Sequence, residues 1–126
     1  MFQTLEVFQL AQGMAVHAGK RQALIAQNVA NADTPGYAAR DIVSFHDTLR
    51  PDGPGTQRAT RASHLHGASD GTDAPIIDEK AASSINGNSV SVEGEMLKAV
   101  ETKRQHDRAL AIYKSAMNVL HKTLDR

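Results

Sequence analysis

The clearest candidate for metal chemistry in this 126-residue chain is His64-x-His66, followed by Asp70 and Asp73. Imidazole nitrogens and carboxylate oxygens are ordinary ligands for zinc or nickel. The spacing is unspecific, because Gly67 loosens the segment and no predicted helix or strand positions a third ligand. We therefore expect solvent-exposed histidines here rather than a metal site.

The sequence contains no motif that is typical of a catalytic site. The sequence contains no cysteine, which excludes a thiol nucleophile, a disulfide framework and a Cys-based zinc site. It also lacks a Gly-x-Ser-x-Gly motif. Carboxylates such as Asp78-Glu79 and the Glu93/Glu95 pair fall in predicted loop or helix-start positions, where solvation and the helix dipole account for them. We expect no enzyme activity, no cofactor and no small-molecule substrate.

Charge and hydropathy exclude two further classes. The 14 basic and 14 acidic side chains cancel, which argues against nucleic-acid binding, since that relies on neutralising phosphates. No segment approaches the roughly 20 apolar residues that span a bilayer, and the N-terminus does not resemble a cleaved signal peptide. We expect a chain that does not span a membrane and that leaves the cytosol, if it does, without a cleaved signal.

Two long helices are predicted at the ends of the chain. Residues 3–31 lack proline and carry apolar residues at helical spacing, in two neighbouring seams that are interrupted near His17–Gln22. The first seam includes Val7, Leu10, Met14 and Leu24, and the second includes Leu5 and Phe8. Residues 91–125 form the second helix, for which Ser91 is a suitable N-cap.

Between the helices, Thr34-Pro35-Gly36-Tyr37 predicts a type II turn, with Pro and Gly at the positions that this turn requires. The first helix should end around residues 31–33. Asn28 and Asn31 either terminate that helix or form hydrogen bonds between subunits, and both roles are compatible. Tyr37 anchors the turn, on its own helices or on a neighbour.

The middle of the chain reads as loop. Residues 32–50 are predicted to be turn and extended segment, and residues 51–90 a polar, Gly- and Pro-containing region that is flexible until it meets a partner. Within it, Ala74-Pro75-Ile76-Ile77 indicates a short strand or a docking peptide. The sequence therefore predicts one all-α domain, a coiled-coil-like antiparallel hairpin of long terminal helices around a loop-like middle.

The end of the second helix carries a regular apolar line with spacings of 3, 4, 3 and 4 residues, which is typical of a coiled coil. We call it the terminal seam: Leu110, Tyr113, Met117, Leu120 and Leu124. It serves either as the core of the hairpin itself or as an oligomerisation surface. A lone helix pair leaves much of these stripes exposed, so we favour a subunit of an assembly.

Two segments resemble the flagellar rod and hook axial protein family. One is Asn28-x-x-Asn31-x-x-Thr-Pro-Gly-Tyr37, and the other runs from Gly87-Asn88 to Glu95-Met96. In the second segment, Ser91 occupies a position where the family usually has Asp, and Gly94 replaces an acidic residue. A Thr60-x-x-x-His64-Leu65 segment also resembles the middle region of that family. The short length and Arg40-Asp41 are similar to the proximal-rod branch, which has two short members.

The resemblance implies a structural subunit of the proximal rod of the flagellar basal body, which transmits torque across the periplasm and is exported by the flagellar type III apparatus. Implied partners are other rod subunits, a FliE-type adaptor, the MS ring and the export gate. A soluble helical-hairpin adaptor or export-chaperone-like module is the alternative. The expected assembly interface comprises Leu5, Phe8, Asn28, Asn31, Thr34, Pro35, Gly36, Tyr37, Leu110, Tyr113, Met117, Leu120 and Leu124.

Overall fold

A computed structural model describes residues 2–49, 74–79 and 84–124, with backbone only for residues 2–4. Two long helices, α1 (Phe2–Ala30) and α3 (Val92–Leu124), are joined by the short strand β1 (Arg40–Ile42), the one-turn helix α2 (Phe45–Thr48) and strand β2 (Ile76–Asp78). The candidate metal segment and most of the polar middle region lie outside the described residues.

The two long helices pack against each other in antiparallel orientation. Asn28 near the end of α1 meets Glu95 at the start of α3, whereas Phe8 near the start of α1 meets Tyr113, with ring centroids 5.1 Å apart. At 29 and 33 residues the helices are about 44 and 50 Å long, given 1.5 Å per residue. The predicted hairpin of long terminal helices is confirmed.

Buried side chains spaced by seven residues, most of them small, form the interior of the hairpin. On α1 the buried line is Ala11, Ala18 and Ile25, and on α3 it is Glu95, Thr102, Ala109 and Ala116. A seven-residue repeat keeps one face of a helix directed at its partner. Ala11, Ala18, Ala109 and Ala116 are short, so the two helix backbones can approach closely at these positions.

Large apolar side chains lie mainly outside this interior. Leu5, Val7 and Leu10 of α1 are exposed, as are Leu110, Tyr113 and Leu124 of α3, the last with 78% of its surface accessible. Val7 and Leu10 belong to the first apolar seam of the sequence, so that seam does not coincide with the packed face of α1. The packed face continues where the apolar pattern is interrupted near His17–Gln22, since His17 and Ala18 are both buried. A hydropathy pattern is dominated by large apolar residues, whereas the contact between α1 and α3 is made largely by alanines.

The connecting segment, which follows α1 and contains β1 and α2, folds back against α1. Strands β1 and β2 are antiparallel, with Arg40 opposite Asp78 and Ile42 opposite Ile76. The short strand expected around Ala74–Ile77 is confirmed. Helix α2 was not expected within the turn-and-extended segment 32–50, although Ser44 caps it by accepting a hydrogen bond from the Asp47 amide.

The predicted stops and starts of the long helices are confirmed. The Tyr37 amide donates to the Thr34 carbonyl at 3.3 Å, and Gly36 has φ of +73°, as a type II turn requires. At the start of α3 the Gly94 amide donates to Ser91 Oγ at 3.3 Å, which is the N-cap interaction.

Candidate functional site

The two sequence motifs meet at one end of the hairpin, where the turn after α1 pairs with the segment that leads into α3. The Gly36 amide donates to the Asn86 carbonyl at 3.0 Å, and the Ser89 amide donates to the Tyr37 carbonyl at 3.1 Å. Gly87, at φ +81°, lies so near the turn that a Cβ there would be 3.4 Å from Gly36 Cα. We call residues 28–41 together with 84–95 the motif junction.

Asn88 closes the junction with a single buried amide. Its Nδ2 donates at 2.8–2.9 Å to the carbonyls of Asn31, Ala32 and Thr34, while its Oδ1 accepts from the Val90 amide at 2.7 Å. The carbonyls that follow a helix end have no partner within the helix. Asn88 therefore satisfies the end of α1 from 54–57 residues away in sequence.

Asn28 links three parts of the junction. Its Nδ2 donates to the Arg40 carbonyl at 2.7 Å and to Glu95 Oε2 at 3.1 Å. Its Oδ1 accepts from the Arg40 amide at 3.1 Å and from the Tyr37 hydroxyl at 3.2 Å. With only 1% of its surface accessible and every hydrogen-bonding capacity met within the chain, Asn28 holds α1, β1 and α3 together. The expected role of Asn28 in hydrogen bonds between subunits stays a prediction.

Asn31 and Tyr37 also have partners inside the chain. Asn31 Nδ2 donates to the Gln27 carbonyl at 2.8 Å, which is the helix-terminating role, and its Oδ1 accepts from the Thr34 hydroxyl at 3.3 Å. Tyr37 anchors the turn on its own chain through Asn28. Both side chains are half-buried.

A buried carboxylate and a lysine extend the junction along α3. Glu95 is 2% exposed, and its Oε1 accepts from Lys98 Nζ at 2.8 Å. The same ammonium group donates to Glu79, beside β2, at 2.5 Å. Burial would lower the pKa of Lys98, but the hydrogen bonds to Glu79 and Glu95 and the attraction of both carboxylates raise it above its ordinary value.

A second ion pair ties β1 to the middle of α1. Arg21 donates to both carboxylate oxygens of Asp41, at 3.0 and 2.9 Å, and Asp41 Oδ1 also accepts from the Ile42 amide at 2.8 Å. Burial alone would raise the pKa of Asp41. The hydrogen bonds from Arg21 and Ile42, and the Arg21 charge, outweigh it and hold that pKa below its usual value.

His17 fixes the next stretch of the connecting segment. Its Nε2 lies 2.8 Å from the Val43 carbonyl, to which it donates, and its ring meets Phe45 of α2 edge-on with centroids 5.5 Å apart. His17 Nδ1 has no partner among the described residues. This histidine packs the segment onto α1, where it closes what looked like a gap in the apolar pattern.

The expected interface residues fall into two groups at opposite ends of the hairpin. Thr34, Pro35 and Gly36 form an exposed tip at the motif junction. Near the other end lie the rest: Leu5, Phe8 and the terminal seam, of which Phe8, Met117 and Leu120 are half-buried and the others exposed. The edge-on contact of Phe8 with Tyr113 shows that the seam borders the hairpin interior on one side.

Sequence reasoning missed Asn88, Glu95, His17 and Asp41 as organising residues. For Asn88 a signal was available, because an Asn directly after a glycine in the second motif is typical of a turn that binds backbone groups. The contacts of the other three depend on which residues the hairpin brings together, and local sequence does not show that.

The geometry of the described residues is that of a scaffold. Within these residues, no three His, Asp or Glu side chains gather as a metal-binding group. None of the described helices is long and apolar enough to cross a membrane. The polar groups of the motif junction are directed at one another and at backbone groups.

Comparison with known proteins agrees with the family that the sequence resembles. Residues 17–37 match the family model described as flagella basal body rod protein. A FlgB basal-body rod protein of Agrobacterium fabrum is 30% identical over 129 residues, an alignment that covers 98% of this chain and 96% of the relative. The chain belongs to the FlgB family of flagellar rod proteins.

Other FlgB relatives match this chain at similar sequence identity. One from Cereibacter sphaeroides is 32% identical over 93 residues, 73% of each chain, and one from Salmonella typhimurium is 31% identical over 115 residues, 80% of this chain and 83% of the relative. FlgB membership decides between the two short rod subunits, FlgB and FlgC, and against the soluble adaptor. The chain is a structural subunit of the flagellar basal-body rod and assembles with other basal-body components.

Proposed function

We propose that this FlgB-family chain builds the proximal rod through the large apolar side chains on the outer faces of its two terminal helices, and so helps to transmit torque across the periplasm. One observation carries this proposal. The hairpin buries small residues such as Ala11, Ala18, Ala109 and Ala116 while it leaves large ones such as Leu5, Leu110 and Leu124 accessible.

The exposed side chains are too many to be scattered singly. Leu97 is 70% and Met96 61% accessible at the start of α3, and Leu5 is 57% accessible at the start of α1. Leu110, Tyr113 and Leu124 of the terminal seam are also exposed and lie along one line of α3, and exposed apolar surface of this kind marks protein interfaces. Burying it releases about 25 cal/mol per Å², so helices from neighbouring subunits would stabilise the hairpin as the rod forms.

The exposed tip of the motif junction supplies a second contact in this proposal. Two hydrogen bonds hold Thr34, Pro35 and Gly36 in place from within the chain. The Gly36 amide donates to the Asn86 carbonyl, and Asn88 Nδ2 donates to the Thr34 carbonyl. A rigid, accessible turn is suited to a defined contact with a neighbour, because little chain entropy is lost on binding.

The finer placement is also proposed. The neighbours would be other rod subunits, a FliE-type adaptor, the MS ring and the export gate, with export through the flagellar apparatus without a cleaved signal peptide. Membership of the FlgB family and the two motifs support this placement. The absence of catalysis fits the same picture, since the named relatives are rod proteins.

Charge introduced into the terminal seam tests the proposed interface. A chain with Leu110→Glu and Leu124→Glu, expressed as the only copy, should keep its helical circular dichroism because both side chains are accessible. It should nevertheless fail to restore swimming in soft agar. The matched control, Ala111→Glu with Ser115→Glu, changes exposed residues on the opposite face of α3 and should restore it. Full swimming by the seam variant would refute the interface.

A further inference from the structure

The turn that leads into α3 contains Asn86-Gly87, the one Asn-Gly pair of the sequence. In such a pair the amide nitrogen of the glycine can attack Cγ of the asparagine side chain. The Cγ–N bond forms while the Cγ–Nδ2 bond breaks, ammonia leaves with the amide proton, and a cyclic imide remains. Glycine favours the attack because it has no Cβ to hinder the approach. Both residues are exposed, so water reaches them.

The fold of the turn depends on the same two residues. Gly87 has φ of +81°, which glycine adopts readily, and a Cβ at this position would lie 3.4 Å from Gly36 Cα. Asn86 Oδ1 accepts hydrogen bonds from the backbone amide of Asn88 at 3.1 Å and from the Ser84 hydroxyl. The pair that closes the motif junction is therefore also the pair that is chemically reactive.

In the closed junction, hydrogen bonds hold both sides of the Asn86–Gly87 peptide group. The Gly87 amide donates to the Ser84 carbonyl at 2.8 Å, and the Asn86 carbonyl accepts from the Gly36 amide at 3.0 Å. The attacking nitrogen must give up its proton, so the hydrogen bond to Ser84 is lost when the imide forms. The bonds to Asn86 Oδ1 restrain the side-chain amide as well. Imide formation therefore requires local opening of the junction.

We propose that Asn86 is a deamidation site whose reactivity is controlled by the motif junction, slow while the junction is closed and fast when it opens. One water molecule then opens the imide in either of two ways. Cleavage of the bond between Cγ and the Gly87 nitrogen gives aspartate and restores the main chain. Cleavage of the bond between that nitrogen and the main-chain carbonyl carbon gives isoaspartate, whose main chain runs through Cγ and is longer by one methylene.

The two products have different consequences for the junction. Aspartate keeps an oxygen where Asn86 Oδ1 accepts its two hydrogen bonds. Isoaspartate places the extra methylene between two fixed points, the bond from the Gly36 amide to the Asn86 carbonyl and the bond from the Ser89 amide to the Tyr37 carbonyl. The register that joins these bonds is lost. Isoaspartate at this position therefore prevents a junction that has opened from closing again.

Mass spectrometry of the purified full chain tests the control by the junction. The chain is incubated in mildly alkaline buffer with and without concentrated urea, and trypsin then releases residues 81–98, which contain Asn86. Electron-transfer fragmentation separates aspartate from isoaspartate. We expect conversion of Asn86 to be at least about tenfold slower without urea, because the closed junction must first open. Equal rates in the two buffers, or no conversion in urea, would overturn the proposal.

A variant with a weakened turn supplies the second arm. Ser84→Ala removes the hydroxyl that donates to Asn86 Oδ1 at an exposed position, so helical circular dichroism should be unchanged. We expect deamidation to be about threefold faster without urea, from the loss of one hydrogen bond, and unchanged in urea. Ser115→Ala, at an exposed position of α3, is the matched control and should have no effect in either buffer. A rate for Ser84→Ala equal to that of the control would overturn the restraint on Asn86.

The consequence for the junction is tested on the products. Chain that has deamidated in urea is refolded by dilution, and its isoaspartate-containing fraction is compared with the Asn86→Asp variant. Thermal melting should show a lower midpoint for the isoaspartate chain, whereas Asn86→Asp should melt together with the unsubstituted chain. Equal melting of the two products would overturn the proposed effect of isoaspartate. All of these measurements use the unassembled chain, so their outcome is independent of the proposed interface.

Discussion

Buried polar side chains, each with several partners, determine how one end of this hairpin is closed. Asn28 joins α1, β1 and α3, and Asn88 binds three carbonyls just beyond the end of α1. Such groups stabilise the fold only while all of their hydrogen bonds are made, because an unpaired buried polar atom is costly. The motif junction is consequently sensitive to isosteric changes.

Replacement of Asn88 by Asp is the sharpest test of the junction. The change preserves shape but replaces the amide donor with a carboxylate facing three carbonyl oxygens, so we expect the free energy of unfolding to fall by about 3 kcal/mol. Urea unfolding followed by circular dichroism measures this. The control Asn118→Asp, at an exposed position of α3, should change the free energy by less than about 0.5 kcal/mol; equal effects of the two substitutions would contradict the account.

The Arg21–Asp41 pair predicts a pH dependence of stability. Because the pKa of Asp41 is lower in the folded chain than its usual value, the pair stabilises the fold above the unfolded pKa, about 3.9, and this contribution is lost as pH falls through the folded pKa. We expect Asp41→Asn to cost about 2 kcal/mol at pH 7. The difference from the unsubstituted chain should disappear in the acid limb, below about pH 4.

Thermal melts from pH 2 to pH 8 measure that dependence. The matched control is Asp107→Asn, which removes the exposed pair between Asp107 and Lys103; surface pairs of this kind contribute about 0–1 kcal/mol. A constant difference between Asp41→Asn and the unsubstituted chain across the whole pH range would show that the Asp41 charge is not what stabilises β1 against α1.

At the scale of elements, small side chains form most of the contact between the two antiparallel helices. Ala109 and Ala116 of α3 are buried against α1 at a seven-residue spacing, while Leu110, which follows Ala109 in sequence, is 41% accessible. The close packing of α1 and α3 uses alanine, and larger residues are left for other contacts. Enlarging an interior alanine should therefore damage the hairpin more than enlarging an exterior one.

We expect Ala109→Leu to lower the free energy of unfolding by about 1–3 kcal/mol, the range for overpacked interiors. Ala111→Leu makes the same chemical change at an exposed position two residues away and should stay within about 0.5 kcal/mol of the unsubstituted chain. Urea titration of the three purified chains gives the comparison. A smaller loss for Ala109→Leu than for Ala111→Leu would place the helix interface elsewhere.

The sequence predicted the elements whose signals are local. Pro35 and Gly36 define the turn after α1, Ser91 the start of α3, and Ile76-Ile77 the strand β2. It did not predict α2, because a single turn lacks a periodic pattern, although Ser44 and Asp47 carry its capping signal. The packed face of the hairpin was also missed, since alanine contributes little to hydropathy periodicity. Asn88 escaped because its three acceptors lie more than 50 residues away.

At the scale of the whole molecule, the hairpin buries only part of its apolar surface within itself. Small residues complete the contact between α1 and α3, polar groups complete the motif junction, and large apolar residues stay accessible along both helices. Membership of the FlgB family and this inverted arrangement of small and large residues point to the same conclusion. The chain is a rod subunit, and we propose that neighbouring subunits bury its outer apolar surfaces.

Mass spectrometry of detergent-resistant basal bodies, isolated from the bacterium that encodes this chain, tests that conclusion most directly. The basal bodies are prepared from cells carrying either the unsubstituted chain or the variant with Leu110→Glu and Leu124→Glu. The account predicts that the unsubstituted chain co-purifies with the rod and that the seam variant is lost from it. Intact basal bodies from swimming cells that contain no trace of the chain would contradict the account.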